Sequence, residues 1–374
     1  MRLSSNRSSL LRRLGHRLAE RRLQLVRRLE TELHELRYLF WEATRRCNLA
    51  CRHCGSDCTV DHQQAGLPAD VVRGLLRRFA TAYDARRILL AATGGEPLLR
   101  PDLEAVLQEA AGLGYRLGLV SNGYLLDPAR ARRLAGLGLQ SAVISLDGPA
   151  DCHNWLRRRP DAFDRACRAL VLLRESGVRI VEAITVVTPR TLDRLDETYA
   201  LVAGLGATHW RLLNVFPTGR ASTQPELLLD GPGLVRLLRE IARLRRAGRP
   251  GGPVVSFGEE GYLGWEIDRQ VRDTPYFCRA GINICGLLAD GGLAACPNLP
   301  AWMVQGNVHR DDPVEVWERR YGLFRDRSWT RRGACGQCDR WAFCQGNSLH
   351  LWDAAAGAPC WCQHALLAQH GDGD

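Results

Sequence analysis

Four cysteines fall within twelve positions of the stretch TRRCNLACRHCGSDC, Thr44 to Cys58. Three of them, Cys47, Cys51 and Cys54, have the spacing C-x3-C-x2-C. A thiolate is a soft anionic ligand, so three on one loop can hold a cubic iron–sulfur cluster and leave one iron without a protein ligand, open to chemistry. The same triplet can hold zinc if Cys58 or His53 supplies a fourth ligand, because structural zinc is tetrahedral. Spacing alone leaves both readings open. A second set lies in the last third of the chain: Cys278, Cys285, Cys296, Cys335, Cys338, Cys344, Cys360 and Cys362, with Cys335-x2-Cys338-x5-Cys344 as a compact knuckle. Cys58, Cys152 and Cys167 fit no ligand spacing and read as small packed thiols.

The chain that carries these thiols has 374 residues, 45% hydrophobic and 25% charged, enough for a sizeable core in one large or two to three modest domains. It has no apolar run of membrane-spanning length, and its start lacks the apolar core of a secretory signal. The expected compartment is the cytoplasm, where fourteen cysteines read as metal-binding or redox-active and not as a disulfide framework. The sequence contains no lysine, which excludes a lysine Schiff base and a Walker-type phosphate lysine. Of the net charge of +10, residues 1–37 contribute about +6, from ten Arg against four Glu. Leu10, Leu14, Leu18, Leu25, Leu29, Leu33 and Leu36 recur among those arginines at helical spacing. This predicts a basic amphipathic helix that packs its leucine face on the body and exposes its arginines; contact with anionic lipid, RNA or an acidic partner is the alternative.

From Leu36 onward the pattern alternates between short β-like runs and amphipathic helices. Strands are expected at 38–43, 87–92, 115–120, 141–146, 180–187 and 209–214, and helices at 70–82, 102–113, 128–136, 161–176 and 192–205. Six strands joined by helical crossovers imply an α/β fold with a parallel sheet, open or curled into a partial barrel. Ligands of such sheets sit at the carboxyl ends of the strands. There the sequence places Cys47, Cys51 and Cys54 after the first strand, Gly94-Gly95-Glu96-Pro97 after the second, Ser121-Asn122-Gly123 after the third and Asp147-Gly148 after the fourth. The Gly/Pro-rich run RAGRPGGP reads as a domain boundary. The expected units are the basic helix at 1–36, a core domain at 37–250 and a cysteine-rich domain at 251–374.

The C-x3-C-x2-C triplet after the first strand, with His53 before its last cysteine, and the Gly94–Pro97 run after the second strand together resemble the radical SAM superfamily. The resemblance implies a partial (β/α)6 barrel, a [4Fe-4S] cluster on Cys47, Cys51 and Cys54, and S-adenosylmethionine chelating the open iron. Reductive cleavage of that cofactor yields a 5′-deoxyadenosyl radical. It further implies that Gly94, Gly95, Glu96 and Pro97 meet the methionine moiety, with the Glu96 carboxylate beside its ammonium. Ser121 and Asn122 are implied for the ribose, and Ser145 and Arg157 for the cofactor carboxylate. A strand-ending turn explains the glycines equally well, and FPTGRAS after the sixth strand reads as a further piece of the cofactor or substrate frame, or as a turn.

The later cysteines resemble the SPASM domain, a small cysteine-rich α+β extension holding one or two auxiliary iron–sulfur clusters. The resemblance implies one set from Cys335, Cys338, Cys344 and Cys362, and a second from Cys278, Cys285 and Cys296. The pattern expects another cysteine where this chain has Ser348, so the second site is short of a thiol. Zinc is the alternative here too. TGGEPLLR, SLDGPADCHNWLR, FCRAGIN, ACPNL and QGNSLH resemble a bacterial branch associated with small lipoprotein or peptide partners. The implied activity is hydrogen abstraction from a peptide or small protein, an oxidoreductase-type peptide maturation of unspecified reaction, with a flavodoxin or ferredoxin as electron donor. A non-catalytic iron–sulfur or zinc scaffold, and a modifier of RNA, are the alternatives; the mild charge beyond residue 37 speaks against nucleic acid.

Overall fold

The structure is a computed structural model that describes residues 3–370 other than 64, 249, 259 and 260. In helix α1 (Leu3–Leu33) the side chains of residues 3–14, 16 and 17, including the expected Leu10 and Leu14, lie outside the description, as does Arg249 in the Gly/Pro-rich junction.

Short runs with alternating burial form the sheet. Along Ile180–Val187 every second side chain is fully buried, Val181, Ala183, Thr185 and Val187, the signature of a strand with one face in a dry core. In chain order the elements are β1 (Tyr38–Thr44), α2 (Ala69–Ala82), β2 (Leu89–Gly94), α3 (Leu103–Gly112), β3 (Arg116–Ser121), α4 (Pro128–Gly136), β4 (Leu139–Ser145), α5 (Ala150–Arg157), α6 (Ala162–Glu175), β5 (Ile180–Val187), α7 (Pro189–Leu192), α8 (Leu195–Gly204), β6 (His209–Asn214), α9 (Gly231–Ala247), β7 (Val254–Phe257), α10 (Trp265–Val271), β8 (Ile284–Leu287), β9 (Gly292–Ala294) and β10 (Gly306–Asn307). Strands β1 to β7 are parallel and pair in the order of the chain. With right-handed crossovers throughout, that order puts the connecting helices on one face of the sheet, the barrel type of winding and not the doubly wound one.

The helices are amphipathic for the same reason. In α2, Val72, Leu75, Leu76 and Phe79 are buried at helical spacing, each contributing about 2 kcal/mol by burial. Asp127, whose carboxylate accepts from Arg130 N at 2.7 Å, caps α4 with Pro128 inside its first turn. Trp41 and Trp210 are wholly buried on β1 and β6.

Four expectations change. The sheet does not stop at residue 250: β7 extends it beyond β6, and β8 pairs in parallel with β1, Tyr38 opposite Ile284 and Trp41 opposite Leu287. The expected helix at 192–205 is two, because Thr188 and Pro189 start α7 with a reciprocal Thr188–Thr191 cap and α8 begins at Leu195. Helix α5 was not expected; it is only eight residues long, and its buried face, Cys152, His153, Leu156 and Arg157, is half polar. Lastly, α1 lies the other way round. Arg27 is 4% exposed, donates to the carbonyls of Phe343 and Tyr276, and covers the Phe277 ring. Glu30 pairs with Arg279 at 2.9 Å and Glu20 faces Arg340 at 3.9 Å. Leu18, Leu25, Leu29 and Leu33 are exposed instead. No helix among the described residues is long and apolar enough to cross a membrane.

Candidate cofactor site

The carboxyl end of β1 carries a register shift between Glu42 and Thr44, and the cysteine loop leaves from there. Cys47 is 8%, Cys51 7% and Cys58 2% exposed, packed with Leu49 and against Cys54 and Tyr124. The loop returns on itself: Cys47 N donates to Thr59 O at 3.0 Å. Cys58 was set aside on spacing grounds, yet it is brought to the same cluster as the other three thiols, because the loop closes at Thr59.

The glycine run is stapled to this loop. Gly95 N donates to Thr44 O at 2.7 Å and Glu96 N to Arg46 O at 2.9 Å. A Cβ on Gly94, whose φ is +129°, would stand 2.3 Å from Thr44 O, and one on Gly95 would stand 2.2 Å from Arg46 O. Both glycines are therefore required by the approach of the β1 backbone itself. Glu96 is fully buried and ties the ends of β2 and β3 together: Oε1 accepts from Leu98 N at 3.0 Å and Ser121 Oγ at 2.8 Å, and Oε2 from Asn122 N at 2.8 Å. Burial raises its carboxyl and these three donors oppose that. Asn122 Nδ2 donates in turn to Asn48 Oδ1 at 2.9 Å and lies 3.8 Å from Cys47 Sγ. Pro97 opens the short 3₁₀ turn that Glu96 caps.

On the far side, Arg157 ends α5 with its Nε 2.6 Å from Asp147 Oδ2 and Nη1 3.6 Å from Cys51 Sγ. Burial raises the Asp147 carboxyl, but Arg157 and His153 more than reverse this and hold it below the usual carboxylate range. Arg157 thus directs two of its five N–H donors to Asp147 and a cysteine sulfur. Ser145 ends β4, half-buried, one turn of chain before Asp147.

Arg220, within the FPTGRAS run, is the residue that spacing could not find. Its Nε donates to Cys51 O at 2.8 Å, and its Nη1 to Cys58 O at 2.9 Å and to Asp57 Oδ1 at 2.7 Å, while its backbone N donates to Cys54 O at 3.0 Å. Gly219 beside it has φ +55°, and a Cβ there would stand 2.4 Å from Cys54 O. This turn therefore clamps the cysteine loop; only the arginine after a glycine in a strand-end turn hinted at it.

The thiols differ electrostatically. Burial pushes Cys47 up to about 12 and raises Cys51, the latter against the pull of Arg157. Cys54 is drawn down to about 5, chiefly by a hydrogen bond from Cys58, whose own thiol is raised by the same bond. Burial presses His53 down to about 3, so it is neutral. Beside the cysteines, Asn48 Nδ2 and His53 Nδ1 are buried without a hydrogen-bond partner among the described residues. Among those residues no three His, Cys, Asp or Glu side chains close on a single ion. A cluster that gives each thiolate its own iron, with a polar ligand reaching the unspent Asn48 and His53 atoms, fits this donor set.

A cavity of about 280 Å³ opens between the cysteine loop and the C-terminal segment. His53, Asn214 and Phe216 line one side; Cys278, Cys296 and Ser348 line the other, with His350. Ser348 Oγ lies 3.1 Å from Tyr276 Oη. Cys285 is not with them: its strand neighbour Ile284 lines the cavity, so Cys285 points to the opposite face, where its sulfur lies 3.4 Å from Tyr321 Oη. Cys335, Cys338, Cys344 and Cys362 lie near enough to act on one another's charge, although among the described residues no three of them close on a single ion. Burial pushes Cys335 up to about 11, with Cys362 and Cys338 adding to the shift, and Cys344 up to about 12, with Cys362, Cys335 and Cys338 adding. Asn347 N donates to Cys344 Sγ at 3.1 Å. Cys360 is exposed, its N bonded to Leu351 O.

Residues 41–202 match the family described as the radical SAM superfamily. An AdoMet-dependent heme synthase of Oleidesulfovibrio alaskensis is 28% identical over 353 residues, which is 87% of this chain and 85% of that protein. The mycofactocin maturase MftC of Mycobacterium tuberculosis is 29% identical over 338 residues, 87% of this chain and 81% of that protein. Native anSMEcpe with bound AdoMet shares the fold with a TM-score of 0.69 at 18% identity, over 89% of this chain and 94% of that one. Streptococcus suis SuiB bound to precursor peptide SuiA does so with a TM-score of 0.68 at 17% identity, over 89% of this chain and 76% of that one. The thiol triplet at the end of β1, the glycine run stapled to it and the family match across both make the assignment: residues 41–202 of this enzyme are a radical SAM domain.

Proposed function

We propose that this enzyme modifies a peptide or small protein, by hydrogen abstraction from a side chain held in the cavity between the cysteine loop and the C-terminal segment. The cavity carries the reading: one wall holds His53 and Gly55, the chain neighbours of Cys54, and the other holds Cys278, Cys296 and Ser348, so a substrate there lies between the cysteine loop and two of the later thiols. When bound, the [4Fe-4S] cluster and S-adenosylmethionine supply the 5′-deoxyadenosyl radical. Cys47, Cys51 and Cys54 would hold the cluster; Gly94 to Pro97, Ser121, Asn122, Ser145 and Arg157 would frame the cofactor. Arg157, donating to Cys51 Sγ, sets a positive charge at the sulfur, and hydrogen bonds to sulfur are one of the levers on a cluster's potential. Glu96 acts by holding Ser121 and Asn122 in register with the cysteine loop, and Arg220 by keeping that loop closed. Cys335, Cys338, Cys344 and Cys362 would hold an auxiliary, SPASM-type cluster, a reading supported by the effect of these thiols on one another and by the Asn347 donor; a flavodoxin or ferredoxin would supply electrons.

A second reading, a haem-type macrocycle as substrate, is favoured by one observation: relatives named AdoMet-dependent heme synthase align over as much of the chain as the maturases. The two are separated with anaerobically reconstituted, reduced enzyme and S-adenosylmethionine. Formation of 5′-deoxyadenosine by the parent, and its loss in Cys51→Ala, tests the cofactor chemistry. Side-chain-deuterated peptide translated from a short reading frame adjoining this gene should pass deuterium into 5′-deoxyadenosine. A Soret shift on mixing with an iron porphyrin, with no deuterium transfer from peptide, would decide for the macrocycle.

A further inference from the structure

Five of the nine exposed large apolar side chains among the described residues lie on one helix: Leu18, Leu25, Val26, Leu29 and Leu33 of α1. At 3.6 residues per turn they fall within an arc of about 100°. The opposite face of α1 is the one turned to the body, and its contacts are mainly polar: Arg27 reaches the carbonyls of Phe343 and Tyr276, Glu30 pairs with Arg279 and Glu20 faces Arg340, with Ala19 and Leu23 half-buried beside them. A soluble helix ordinarily does the reverse, so the leucine stripe is left facing outward.

Charge says what covers it. Arg21, Arg22 and Arg28 are exposed, Arg22 within the arc and the other two along its edge. Two of the three glutamates in the helix turn inward to arginines; Glu32 is the exposed acidic side chain among the helix's described positions. Upstream of Glu20 the chain holds Arg2, Arg7, Arg12, Arg13 and Arg17 and no acidic residue. A second copy on this stripe would set the arginines of both copies against one another, and RNA offers phosphates but nothing apolar for the leucines. A lipid surface supplies both.

We infer that α1 is a peripheral membrane anchor: its leucines enter the acyl boundary of an anionic phospholipid leaflet, and its arginines sit among the headgroups. The inference is independent of the enzyme's substrate. The test is sedimentation of the full-length holoenzyme with vesicles of phosphatidylglycerol and phosphatidylcholine in equal parts, against phosphatidylcholine alone. The enzyme should bind the anionic vesicles and leave them as salt rises to about 0.5 M. R21Q/R22Q/R28Q should lower the partition coefficient about a hundredfold, and L25Q/L29Q by more than about tenfold. Both variants alter exposed side chains, so iron content and 5′-deoxyadenosine formation should match the parent. Absence of binding, equal binding to both vesicle types, or unchanged binding by L25Q/L29Q overturns the inference. So does a dimer, seen by light scattering, that L25Q/L29Q dissolves.

Discussion

Gly95→Ala tests whether the cysteine loop and the glycine run act as one rigid piece. The added Cβ would lie 2.2 Å from Arg46 O and 2.7 Å from Arg46 C, both backbone atoms that cannot swing aside. Restoring ordinary contact needs a separation of about 1 Å between the β2 end and the cysteine loop, since methyl carbon and carbonyl oxygen touch no closer than about 3.2 Å. Such a shift breaks Gly95 N to Thr44 O and Glu96 N to Arg46 O, now 2.7 and 2.9 Å. Two buried backbone hydrogen bonds at about 1 kcal/mol each, with overpacking of about 1–3 kcal/mol, put the destabilisation at about 3–5 kcal/mol. A displacement of 1 Å at a reacting centre costs about a hundredfold in rate. The assays are thermal unfolding of the reconstituted protein and 5′-deoxyadenosine release. The expected result is a melting point lower by several degrees and cleavage down about a hundredfold. Gly112→Ala is the control: its Cβ meets nothing within 4 Å on a helix, so it should be neutral or slightly stabilising. If Gly95→Ala melts and turns over like Gly112→Ala, the stapled-loop argument is wrong.

Arg220→Gln removes three side-chain bonds from the cysteine loop and should cost about 2–3 kcal/mol and lower iron content at that loop; a parental iron-to-protein ratio and melting point would refute the clamp. Cys335→Ala and Cys338→Ala should hold less iron than the parent and keep uncoupled 5′-deoxyadenosine formation while losing modification of substrate; equal iron content refutes a cluster at those thiols. Half-buried His350, on the cavity wall, is pushed down to about 4 by desolvation, so the fold keeps it neutral while the unfolded chain takes up a proton near 6.5. Stability should therefore fall as pH drops from about 6.5 toward 4. Since His53 and His153 are lowered by burial in the same way, the measurement is the difference between parent and His350→Gln in urea unfolding across that range, and superimposable profiles refute it.

Some of the site was legible because its chemistry is local. Cys47, Cys51 and Cys54 share one loop, and Gly94 to Pro97 one turn, so residue type and spacing announce them. Strands β5 and β6 were legible to the residue, because alternation along a half-buried strand is written in the chain. Cys285 shows the limit: in sequence it is one more late thiol, yet strand alternation turns it away from the cavity that Ile284 lines. Arg220 and Cys58 were passed over because their roles exist only where the loops after β1 and β6 meet. Arg157, implied for the cofactor carboxylate, also holds Asp147 and reaches Cys51, two contacts that spacing does not show.

Helix α1 marks the division most clearly. Its periodicity says by itself that one face is leucine and the rest basic, because that is a property of a single helix at 3.6 residues per turn. Which face meets the body is a property of the surface it meets. That surface, assembled from Tyr276, Arg279, Arg340 and Phe343, offers two carbonyls and two cations, which satisfy Arg27, Glu30 and Glu20. The sequence alone therefore determined the thiol triplet, the alternation of strand and helix and the amphipathic start. Only the tertiary structure decided which thiols converge, what holds their loop and which way the first helix faces, because each depends on groups distant in the chain whose burial must be satisfied together.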